Sequence, residues 1–145
     1  MPSQDKPMIV FESIRHQLSE IKFARLENTS DKYKINIENI LNTKALDENG
    51  FVIRAQRFLT FEPKGAFEIL VEFDIICKFN KESKDFYNGN LDEISKFIEK
   101  RKIEIFNHLE VGNLMSILIS QISLANNYKS IVVPPYIENV IDKKA

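Results

Sequence analysis

The spacing of apolar residues changes once along this chain, from every second residue to a period near 3.6. In the first half Ile14 and Leu18 share a phase, whereas Ile21 and Phe23 fall on the opposite parity. That predicts a strand with a bulge or bend near Ser19-Glu20. Tyr33, Ile35 and Ile37 alternate with Lys34, Asn36 and Glu38. The run DENG (Asp47–Gly50) signals a turn into a third strand, where Phe51, Ile53, Ala55, Leu59 and Phe61 share a face that Arg57 interrupts. EPKG (Glu62–Gly65) is the next turn. The fourth strand places Phe67, Ile69, Val71, Phe73, Ile75, Cys77 and Phe79 on one side. So continuous an apolar face predicts a central strand of an antiparallel sheet with one dry side. Leu70 and Ile76 interrupt its other side, among Glu68, Glu72, Asp74 and Lys78.

After the connector NKESKDFYNGN the period becomes helical. Asn90 with Glu93 resembles a capping box, and Leu91, Ile94, Phe97, Ile98, Ile105 and Leu109 form one stripe. No proline occurs between Leu91 and Val133, which leaves room for about 36 helical residues, roughly 54 Å if straight. Gly112 is the expected kink, because glycine costs about 1 kcal/mol inside a helix. The fold expected is therefore α+β, a four-stranded antiparallel sheet packed by a long C-terminal helix. Residues 1–11 are expected as an arm, 12–141 as a single domain and 142–145 as a frayed tail.

Beyond Gly112 the stripe continues as Asn113, Ser116, Ser120 and Ser123, a narrow groove of small polar side chains. Met115, Ile119, Ile122, Leu114, Leu118, Ile117 and Leu124 occupy most of the remaining circumference. One sheet covers one side of a helix, so a second cover is expected, and a second copy of the chain is the economical candidate. The expected subunit contact comprises Asn113, Ser116, Ser120 and Ser123 with Met115 and Ile119. The alternative for the serine groove is a solvent-facing strip.

Composition narrows the function. At 145 residues the chain is most simply one domain. Lys+Arg 20 against Asp+Glu 21 leaves a net charge of −1, which offers no global field for nucleic acid or anionic membrane. One cysteine excludes an internal disulfide. The N-terminal MPSQDKPMIV lacks the pattern of a signal peptide, and Leu114–Leu124 has about half the length of a membrane span. A soluble, cytoplasmic protein is expected.

Candidate chemistry is sparse. His16 and His108 fall in different elements, and Cys77 lies on the apolar face of strand four, where a small core residue is expected. Glu68, Glu72 and Asp74 read as a solvated strand face. The run KFIEKRK (Lys96–Lys102) reads as the wet side of an amphipathic helix. There is no phosphate loop, GxSxG or HExxH motif. No catalytic residue, metal site or cofactor is expected; the pattern suits a surface for other polypeptides.

Several local stretches, in order, resemble the SecB family of protein-export chaperones. EIKF (Glu20–Phe23) looks like its acidic-Ile-x-Phe at the end of strand one, and KINIE (Lys34–Glu38) is similar to its Lys-Leu-Asp-Leu-Asp strand. AFEILVEFDIICKF (Ala66–Phe79) resembles its Ala-Phe-x-x-Glu-Val strand. GNLMSILISQIS occupies the place of its Asn-Ile-Leu-Phe-Pro helix segment, and YKSIVVPPYIEN resembles its Pro-x-Leu-x-Leu-x-Pro-Val-Asn tail.

The resemblance implies a tetramer built as a dimer of dimers with the long helices at the contact. It also implies ATP-independent holding of unfolded or partly folded polypeptides in apolar grooves, without a cofactor. Leu26, Tyr33, Tyr136, Ile137, Val140 and Ile141 are the implied client-binding residues. Glu20, Leu70 and Glu72 match the family's contacts to the translocase ATPase, while Ala24 stands where another acid is expected. The connection between Phe23 and Tyr33 is shorter than the family's crossover, which favours a narrower alternative: a chaperone or antagonist dedicated to one partner, such as a toxin–antitoxin-associated member. A further alternative from another class is a small-ligand-binding α+β domain or enzyme.

Overall fold

The computed structural model describes residues 11–26, 34–62 and 67–125. Four strands, β1 (Phe11–Arg25), β2 (Lys34–Asp47), β3 (Gly50–Glu62) and β4 (Phe67–Phe79), form one antiparallel sheet in the order β1-β4-β3-β2. The architecture is the α+β arrangement expected from the alternation. β4 is central: its seven apolar side chains are all buried, and they pair in register with the buried Phe51, Ile53, Ala55 and Leu59 of β3.

The parity switch in β1 is a register shift between Leu18 and Glu20, as expected, and it lets Ile14, Leu18, Ile21 and Phe23 share a face. Phe11, placed by sequence in the arm, opens β1 and stacks on Phe79 at 5.7 Å. In the Asp47–Gly50 turn, the Asp47 carboxylate accepts from the amides of Asn49 and Gly50 at 2.7 and 3.1 Å. Gly50 is required there by space, since a Cβ would collide with the Cys77 carbonyl oxygen.

Among the described residues, three helices follow rather than one. α1 (Lys81–Tyr87) occupies the expected connector, opened by Asn80, whose side chain accepts from the Ser83 amide, and closed by left-handed Asn88. Its apolar Phe86 is exposed, so it shows no helical stripe. α2 (Leu91–His108) begins at the expected Asn90 cap and lays Ile94, Phe97, Ile98, Ile105 and Phe106 on the sheet. The long helix is broken at Glu110, not at Gly112. Glu110 has φ 57, a conformation that costs an L-residue about 1–2 kcal/mol. Gly112 lies inside α3 (Val111–Ala125).

Candidate functional site

α2 packs mainly on β2 and α3 on β4. The sheet face carrying the core therefore extends past the helical cover at β1. Register places Leu18 opposite Phe73 and Ile21 opposite Val71, on the side of the buried β4 residues. Yet Leu18 is 45% and Ile21 39% exposed. His16 stands edge-on to Phe73 at 6.0 Å on the same side.

α3 adds a second uncovered apolar surface. Ile117 is 45% and Leu124 57% exposed, whereas Leu114, Leu118 and Ile122 are half-buried and pack against the core. Its docked face is instead the small-polar stripe, interleaved with Val111, Met115 and Ile119. Of the residues expected at a subunit contact, Met115, Ser116, Ile119 and Ser123 are buried within the chain's own core. Ser120 is half-buried and Asn113 exposed.

The residue that accounts for the stripe is Arg57, which interrupts the apolar face of β3 and is 1% exposed. Its Nε donates to Asn39 Oδ1 at 2.7 Å, and Nη1 donates to the Gly112 carbonyl at 3.2 Å and to Ser116 Oγ at 3.0 Å. These three acceptors are neutral. Its guanidinium also lies over the Phe106 ring, 6.0 Å from the centroid. Burial lowers the Arg57 pKa to about 10, which leaves it charged at neutral pH. Gly112 and the small Ser116 give that guanidinium room beneath α3. Only three-dimensional pairing joins residue 57 to residue 116, and no local spacing could reveal it.

The opposite sheet face carries a polar band across all four strands. Glu72 accepts from Ser19 Oγ at 2.8 Å and Gln56 Nε2 at 2.7 Å. Asp74 accepts from Lys44 Nζ at 2.9 Å and Arg54 Nε at 3.2 Å. Burial alone would raise the Asp74 carboxyl, but the hydrogen bonds and charges of Lys44 and Arg54 outweigh it and hold it below the ordinary carboxylate value. The expected solvated acidic face is thus corrected: Glu72 is buried and cross-linked into the sheet. Glu20, paired with Lys22 at 3.2 Å, and Leu70 remain partly accessible beside it.

The basic run departs from expectation likewise. Lys96 and Lys100 are exposed, but Arg101 and Lys102 are buried. Lys102 Nζ donates to the Leu41 carbonyl at 3.3 Å and Glu99 at 2.9 Å, and Arg101 pairs with Glu104 at 2.8 Å. Their long aliphatic stems let them lie along the core before reaching a partner. Cys77 is buried and its thiol is pushed up to about 12 by burial, which keeps it neutral.

Of the expected client-binding residues, Leu26 is half-buried just past β1; Tyr33, Tyr136, Ile137, Val140 and Ile141 lie outside the described residues, as does most of the Glu62–Gly65 turn. Among the described residues, no helix is long and apolar enough to cross a membrane.

No family model and no curated protein matches this sequence. Among solved structures, the chain is similar to the Mycobacterium tuberculosis Rv1957 SecB-like chaperone in complex with a ChAD peptide from the Rv1956 HigA1 antitoxin. The TM-score is 0.60 at 9% sequence identity, over 98% of this chain and 98% of that one. The fold is SecB-like.

Proposed function

We propose that this chain is an ATP-independent holdase that binds non-native polypeptides, acts in the cytoplasm and needs no cofactor. The observation that carries the reading is the uncovered apolar surface of β1 (Leu18, Ile21) on a SecB-like fold. A soluble protein that leaves core-quality surface open generally keeps it for a partner, and an extended apolar segment matches a strand-lined face. Leu26, just past β1, and Tyr33, Tyr136, Ile137, Val140 and Ile141 are assigned to the same role. Binding of this kind needs no reacting group, so the protein acts as a chaperone and not an enzyme.

Homotetramer formation, as a dimer of dimers, belongs to the same reading. The side chains available for it on α3 are Asn113, Ile117, Gln121 and Leu124 rather than the buried stripe. For service in export, Glu20 and Leu70 are the candidate contacts to a translocase ATPase; Glu72 supports them from within the sheet.

The test is suppression of aggregation. A chemically denatured client diluted into buffer should scatter less light as the protein is added, without nucleotide. Scattering unchanged at every ratio would remove the holdase reading.

A second reading confines the activity to one cognate partner. The Rv1957 protein is seen with a peptide from an antitoxin, and the short Phe23–Tyr33 connection favours a restricted groove. Protection of a single partner with indifference to generic denatured chains would select this version.

A further inference from the structure

We propose that a hollow beside the Asp47–Gly50 turn binds a small amphiphilic carboxylate, with the hydrocarbon body on Ile76, Val52 and Ala45 and the carboxylate at Lys84. The sheet face opposite the core is polar through its middle, where Glu72 and Asp74 gather their partners. One row nearer the turn it is apolar. Ile76 of β4 pairs in register with Val52 of β3, and Val52 with Ala45 of β2. Ile76 lies two residues from Asp74 along β4, so the row points away from the core. Ile76 and Val52 are half-buried and Ala45 is exposed. Together they floor a hollow of about 520 Å³, whose walls include Asp47, Lys78 and Lys84. Small-ligand sites have volumes of about 300–1,000 Å³ and the same make-up, an apolar floor with a few polar groups.

The walls favour one negative charge. The Asp47 carboxylate already accepts from the amides of Asn49 and Gly50. Lys78 Nζ stands 3.6 Å from Glu12, which partly balances it. Farther along the same face, Lys44 and Arg54 are held by Asp74. Lys84, by contrast, is half-buried and pairs with no carboxylate among the described residues. Its backbone is fixed, because its carbonyl accepts from the Asn88 amide at 2.8 Å to close α1. An uncompensated ammonium beside an apolar floor suits a carboxylate on a hydrocarbon body. A charge-assisted hydrogen bond orients one end, and covering the aliphatic carbons supplies the remaining affinity. A phosphate dianion fits less well, since Asp47 adjoins the single uncompensated cation.

This site lies on the opposite sheet face from Leu18 and Ile21, and it does not depend on the client reading.

Octanoate is the probe, titrated into the isotope-labelled full chain while amide shifts are followed by NMR, with octanamide as its uncharged counterpart. Octanoate is expected to bind with a Kd of about 1 mM or below, with the largest shifts at Ala45, Val52, Ile76 and Lys84. Octanamide should bind about tenfold more weakly. Lys84→Met should weaken octanoate by about tenfold and leave octanamide unchanged, as expected for loss of a hydrogen bond between charged groups. Ala45→Leu fills the hollow and should weaken both probes alike, by about tenfold. Neither position is in the core, so both variants should fold. Lys96→Met, at an exposed lysine of α2, should change nothing. Four results would each overturn the site: no shifts well above about 1 mM, equal affinity for the two probes, octanoate binding unmoved by Lys84→Met, or shifts centred on β1 and α3.

Discussion

Replacing Leu18 and Ile21 together by serine should weaken client binding by an amount that follows from their exposure. Fully covering a large aliphatic side chain contributes about 1.5–3 kcal/mol. With 45% of Leu18 and 39% of Ile21 left uncovered, a client that closes over both gains about 1.3–2.5 kcal/mol, or roughly ten- to seventyfold in Kd. Because both side chains are already partly in water, the variant should remain folded. The assay is titration of the protein into a fluorescently labelled, reduced and carboxymethylated polypeptide that cannot refold, with circular dichroism to confirm the fold. Phe86→Ser is the control. Phe86 is 50% exposed, but it sits on α1 beyond Phe79, six residues along β4 from the partner of Leu18, roughly 20 Å away. A general reduction in stickiness would weaken both variants alike. If the double variant binds as tightly as the unaltered chain, or if Phe86→Ser weakens binding equally, the β1 surface is not the client site.

Three further outcomes follow from the fold. Gly50→Ala should cost about 3 kcal/mol or more, because its Cβ meets strand backbone that cannot give way; Gly89→Ala, with open space around it and φ +73, should cost only about 1 kcal/mol. Paired thermal melts check that order. The Asp74 contribution to stability should be fully present above the unfolded carboxylate value of about 3.9 and fall away as pH drops through its lower folded value. Acid unfolding of Asp74→Asn should lack that part of the profile. Removing the cap of α2 in Asn90→Ala, where the side chain accepts from the Glu93 amide at 3.3 Å, should cost about 1 kcal/mol by urea denaturation.

The sheet is legible in the sequence because its signals are local. Period-two alternation marks β4 as central, the change of parity near Ser19 locates the bulge, and Asp47–Gly50 marks its own turn. The helical half is harder to read. α1 is too short to show a stripe, and the break at Glu110 depends on a backbone angle that an ordinary residue adopts only in context, so Gly112 is the better candidate by composition alone. The serine stripe is visible in the sequence, but its partner is not. The Arg57 cation, reaching from β3 to α3, explains why small side chains face inward there, and pairing at that separation leaves no trace in periodicity. Glu72 and Lys102 read as solvated because charge alone signals exposure; both are buried through bonds to distant strands.

The central claim is that this fold holds non-native chains through a surface it leaves uncovered. Solution mass by light scattering, with and without a reduced unfolded polypeptide, tests it most directly. The expected result is a mass of several 16.9 kDa chains, shifted to a discrete heavier complex when the polypeptide is added. A monomer whose mass is indifferent to the polypeptide would contradict it.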